Sequence, residues 1–154
     1  MSKFLVHPSS VWRDRSNYLL QLWVDAEACP GEFEQVWTAR QEDGSHVLCC
    51  IPFFLYGLSL GDQFEKLPSG SFRILSSSGR ITIRVWMADA TPLEKANLVK
   101  QCQECGCLIE RSSEYLIALD CENADRANAV QILLGKYASE GKIQYELANP
   151  VIES

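Results

Sequence analysis

Residues 80–106 read RITIRVWMADATPLEKANLVKQCQECG, and this stretch decides the fold. Ile81, Ile83, Val85 and Met87 alternate with Arg80, Thr82, Arg84 and Trp86. A period of two predicts a strand. Thr91, Pro92, Leu93 and Glu94 then form a capping box with proline at the first helical position, which starts a helix. Ala96, Val99 and Cys102 share one helical face, and Gly106 ends the helix.

The pattern continues downstream. Residues 107–111 and 114–121 read as two strands joined by Ser112-Ser113. Asn123 or Asp125 caps a second helix. Its Val130, Leu133, Leu134, Tyr137 and Ala138 fall at the spacing of one apolar face. Gly141 closes it, and Ile143, Tyr145 and Leu147 form a last strand. The order over residues 80–148 is β-α-β-β-α-β, the split-βαβ or ferredoxin-like unit.

Upstream, residues 17–79 carry strand and turn signals and no helical period. Tyr18, Leu20, Leu22 and Val24 alternate with Leu19, Gln21 and Trp23. Cys29-Pro30-Gly31 is a turn. Residues 32–40 form a second strand, with Phe33 and Trp37 on one face. Glu42-Asp43-Gly44 is a hairpin turn leading to a third strand at 45–51. Residues 63–67 and 71–76 flank Pro68-Ser69-Gly70 as a short hairpin. The expected fold is α+β: a small N-terminal β-sheet or partial barrel, followed by the ferredoxin-like unit, together one compact body. Residues 1–16 read as an arm and 149–154 as a tail.

Composition narrows the function. The chain has 154 residues, a net charge of −6 and a pI of about 4.9. Such a balance argues against nucleic acid and anionic membranes as partners and suits a basic protein partner. Seven cysteines, an odd number, and a start without an apolar leader argue for reduced thiols and a cytoplasmic setting.

Gly57-Leu58-Ser59-Leu60-Gly61 spells the G-x-S-x-G nucleophile elbow. An elbow needs a following helix and a later histidine; the only histidines, His7 and His46, both precede Ser59. The stretch reads instead as a structural corner built on Pro52, Tyr56, Gly57, Gly61 and Asp62, with Phe53, Phe54, Leu55, Tyr56, Leu58 and Leu60 filling the core. Cys102, Cys105 and Cys107 have one metal knuckle where structural zinc sites usually pair two, so no metal and no cofactor are expected. No catalytic residue is expected either. The acidic residues Asp25, Glu27, Glu32, Glu34, Glu42 and Asp43, with Trp37 beside them, form the candidate binding surface.

Ile51-Pro52-Phe53-Phe54, Tyr56-Gly57 and Gly61-Asp62 resemble the I-P-F-x-x-Y-G-x-x-x-G-D hallmark of a family of small bacterial domains of unknown function. Leu22-Trp23, Arg84-Val85-Trp86, Ala88-Asp89, Gly106-Cys107, and the run from Gly141-Lys142-Ile143 to Tyr145-Glu146 extend the likeness across about residues 17–148. The resemblance implies no catalytic residues. It implies a setting beside polymorphic toxins of Rhs type, as an immunity protein. A cognate toxin enzyme, such as an ADP-ribosyltransferase or nuclease with a basic cleft, is then the expected partner. A small-molecule-binding regulatory module is the alternative.

Overall fold

The computed structural model describes residues 4–24 and 32–148. The first sheet holds β1 (Phe4–Leu5), β2 (Tyr18–Val24), β3 (Glu32–Arg40), β4 (His46–Leu48), β5 (Gln63–Lys66) and β6 (Phe72–Ser76). β3 is its hub. β2 pairs antiparallel along nearly all of β3, from Tyr18 opposite Thr38 to Val24 opposite Glu32. On the other side β1 runs parallel to the start of β3, and β4 runs antiparallel to its end. The turn between β5 and β6 reaches back to β2, where the Trp23 amide donates to the Gly70 carbonyl at 2.8 Å. The sheet therefore curls around Leu22, Val24, Val36, Leu48 and Phe64.

The second sheet comprises β7 (Ile81–Trp86), β8 (Leu108–Arg111), β9 (Leu116–Cys121) and β10 (Gln144–Leu147), in the order β10-β7-β9-β8, each pair antiparallel. Two helices, α1 (Pro92–Glu104) and α2 (Ala124–Ser139), cover one face. Thr91 caps α1 through the expected box: its hydroxyl accepts from the Glu94 amide, and Glu94 accepts from the Thr91 amide. Asn123, rather than Asp125, caps α2. Leu98 and Cys102 are the buried residues of α1, whereas Ala96 is exposed, so the inward face sits slightly around from the expected one. Ile83, Val85, Ile117 and Leu119 meet Leu98, Val130 and Leu134 in a dry core. Each such side chain contributes roughly 1.5–3 kcal/mol by burial. Both the α+β class and nearly every expected element are present.

One expectation changes. The segment read as an arm supplies the edge strand β1 and buries His7. Phe33 and Trp37 share one face of β3 as expected; it is the half-covered outer one, and the buried face is Glu34, Val36 and Thr38. The turn expected at residues 29–31 and the tail at 149–154 lie outside the described residues.

Between the two sheets lies the connection from Cys49 to Asp62, which has no helix or strand of its own. Ile51 and Phe53 pack on Leu116 and Ala118 of β9, while Leu55 and Leu58 fill the first sheet's core. β9 is buried throughout because helices cover one face and this connection covers the other.

Candidate functional site

Two places collect chemistry: the outer face of the β2–β3 hairpin and the seam between the sheets. On the hairpin, strand alternation puts Leu19, Gln21 and Trp23 outward. Register sets them opposite Trp37, Gln35 and Phe33. Trp23 and Phe33 meet edge to face at 5.2 Å. Leu19 and Trp23 are 43% and 37% exposed, a pair of open apolar side chains on one strand face. Trp37 is more covered, because the Arg13 guanidinium stacks over its ring at 3.6 Å.

The acidic candidates do not converge. Glu34 is fully buried and points away from the surface it was expected to form. Glu32 stands at one end of β3, and Glu42 and Asp43 follow the other end, about 30 Å along a nine-residue strand. Asp43 is turned back to accept from the Ser45 amide and hydroxyl, which hold its carboxyl below the ordinary value. Asp25 and Glu27 lie outside the described residues.

The seam is organised by the corner. Asp62 accepts from the Ser59 and Ser78 amides, both at 2.8 Å, and so pins the turn. Gly61 has φ +83, and a Cβ there would stand 3.1 Å from Ser78 and 3.4 Å from Trp12, so glycine is required twice over. Ser59 is fully buried, with Oγ 2.9 Å from Thr82 Oγ1. Neither histidine hydrogen-bonds it: His7 faces two carboxylates, and His46 faces Thr38. Tyr56 departs from the expected core role; it is half exposed and donates to Glu146 at 2.5 Å.

Beneath the corner, His7 sits between Glu34 of β3 (Nε2 to Oε2, 2.5 Å) and Glu110 of β8 (Nδ1 to Oε1, 2.7 Å). A carboxylate opposite each ring nitrogen makes both nitrogens donors, so the ring is an imidazolium. Phe53 stacks on it at 4.2 Å. Burial opposes the charge, but neighbouring Cys50 and the hydrogen bonds to Glu110 and Glu34 outweigh it and hold His7 well above the ordinary value. Burial also opposes the Glu34 charge; His7 and the Phe53 and Phe54 amides outweigh it and hold Glu34 below its ordinary value. Glu110 accepts in addition from the Ile51 amide at 2.6 Å. One histidine and two glutamates thus tie the first segment, both sheets and the corner together.

Arg84 of β7 is the second buried charge, 1% exposed. Nη1 reaches the Pro52 carbonyl at 3.4 Å, and the Tyr56 ring lies 4.4 Å from the guanidinium. Burial pulls its pKa down, against the favourable charges of Glu34, Tyr56 and Glu146. Sequence reasoning missed His7, Glu110, Arg84 and Glu146. The available signal was weak: Glu34, Arg84 and Glu110 each occupy one phase of a strand whose partners across the sheet were not yet known. Cys102 and Cys107 are buried, and burial pushes the Cys102 thiol up to about 12. Among the described residues no group of three or more histidine, cysteine or acidic side chains is placed to hold a metal ion. Among them, too, no helix is long and apolar enough to cross a membrane.

Residues 34–145 match the model of a family described as a domain of unknown function, DUF4265. The chain belongs to the DUF4265 family. The match takes in the corner, Glu34, Arg84 and Glu110, while His7 and Glu146 flank it. The fold of this DUF4265 member is similar to a crystal structure of a hypothetical protein from Neisseria gonorrhoeae, with a TM-score of 0.70 and 16% identity. That likeness covers 88% of this chain and 94% of the other, and at such identity it speaks to fold alone. No curated protein matches the chain.

Proposed function

We propose that this DUF4265 chain is a non-catalytic binding protein that docks a partner on the outer face of its β2–β3 hairpin. The observation that carries this reading is the exposed pair Leu19 and Trp23, aligned with Gln21 on β2 and backed by Phe33 and Gln35. Aromatic and aliphatic anchors in an amide-rich strip suit an interface centre. The net charge of −6 favours a basic partner and speeds encounter with it. The partner we propose is a cognate toxin enzyme, an ADP-ribosyltransferase or nuclease, whose active site this protein occludes in the cytoplasm. We also read residues 80–148 as a ferredoxin-like unit; the strand order β10-β7-β9-β8 with both helices on one face supports it.

The test is a growth assay. The product of the adjacent gene is expressed alone, with this chain, and with a Leu19→Arg, Trp23→Ser variant. Killing by the neighbour, rescue by the native chain and loss of rescue with a folded double variant support the reading. Killing that persists with the native chain, or rescue unchanged by the variant, rejects it.

A second reading, a small-molecule-binding module, has one observation in its favour. Trp86, Asp89, Ala138, Lys142 and Gln144 line a hollow of about 290 Å³ between the end of α2 and the sheet edge. That is at the small end for ligand sites, which places it second. Thermal stabilisation by a metabolite, lost in Lys142→Ala, would promote it.

A further inference from the structure

Arg80, just before β7, and Arg84, within it, lie four residues apart in the strand phase turned from the helices. They meet different fates. Arg80 presents its Nε and Nη2 edge to Asp120 and donates to both carboxylate oxygens, at 3.0 and 3.1 Å from Nε and 2.7 Å from Nη2. Arg84 presents the same edge, and neither Nε nor Nη2 has a hydrogen-bond partner among the described residues, although both atoms are buried. The facing carboxylate is Glu146, directly opposite on β10. It stops 3.6 Å from Nε, beyond hydrogen-bond reach, and the same oxygen accepts the Tyr56 hydroxyl. The Glu146 charge and the Tyr56 ring offset part of the burial, but the Nε and Nη2 donors lose water's hydrogen bonds without a replacement, which is costly.

We infer that the Nε and Nη2 edge of Arg84 is a receptor for a carboxylate group brought by a ligand, covered by Tyr56. The Arg80–Asp120 pair shows what that edge holds: Nε and Nη2 both donate to Asp120 Oδ2 and Nε also reaches Oδ1, so the edge suits a carboxylate. Tyr56 is half exposed and lies next to Gly57, where no neighbouring atom stands within 4 Å of a would-be Cβ. The cover thus lies at the protein surface beside an unhindered backbone position. Glu146 competes for the edge and Tyr56 restrains that competitor. The site is distinct from the hairpin face and does not depend on it.

The test follows the Arg84 Nε–H signal in a proton–nitrogen correlation spectrum of the full chain, titrated with acetate, inorganic phosphate and chloride at constant ionic strength. Acetate is expected to produce a saturable shift that chloride does not. Glu146→Gln removes the competing charge and should tighten acetate binding by about tenfold. Tyr56→Phe frees Glu146 to close on Arg84 and should weaken it. Both variants lie at or near the surface and keep the buried arginine. An unsaturated shift, an equal response to chloride, or variants moving affinity in the same direction overturns the inference. Phosphate binding more tightly than acetate overturns the carboxylate assignment.

Discussion

The second sheet has two faces made of different chemistry. Toward the helices it offers Ile83, Val85, Ile117 and Leu119, packed on α1 and α2 without a charge. Toward the first sheet, beside the apolar Leu116 and Ala118, it offers Thr82, Arg84, Glu110 and Asp120, all buried and polar. The dry face is held by many interchangeable contacts. The seam is held by a few groups, each depending on named partners. Dry packing tolerates a similar hydrophobe, whereas a buried charge network fails when one member leaves.

That contrast can be broken by mutation. Glu34→Ala strips His7 and the Phe53 and Phe54 amides of an acceptor together and should cost about 4 kcal/mol in urea unfolding. Leu134→Ala on the dry face should cost about 3 kcal/mol. If the leucine variant proves the more damaging, the seam is not the stricter half. The pH response comes next. Because His7 is raised above its ordinary 6.5, its contribution is full below that value and is lost as pH rises through the folded value. Because Glu34 is lowered from its ordinary 4.5, its contribution is full above that value and is lost as pH falls through the folded value. Stability should therefore plateau near pH 5–6 and fall on both sides, and His7→Gln should abolish the alkaline decline. Thr91→Ala removes the α1 cap and should cost about 1 kcal/mol without altering the pH profile. Ile132→Ser, on the exposed side of α2, should stay within about 0.5 kcal/mol of the native chain.

Local signals made most of the fold legible. The capping box at Thr91 and Glu94, the Asp43-Gly44 turn and the alternation on β7 each act within a few residues, so one sequence suffices to read them. The site was less legible because its partners are distant. Glu34 reads as a solvated strand residue until His7, 27 positions earlier, is placed beside it. Arg84 and Glu146 become neighbours only once β10 is paired to β7. Tyr56 looked like core because its neighbours are apolar, yet the corner turns it outward to meet Glu146. Gly61 and Asp62 were readable as a corner because their roles are set by their own backbone.

The clasp around His7 also has a consequence for biosynthesis. His7 is translated before its second partner, Glu110, by 103 residues. At ordinary elongation rates that is a wait on the order of ten seconds. β1 must likewise remain unclaimed until β3 has been made, since its pairing is parallel and long in sequence. The seam therefore closes in two stages: Glu34 can meet His7 once β3 has been made, and the second sheet joins only after Glu110 has been translated.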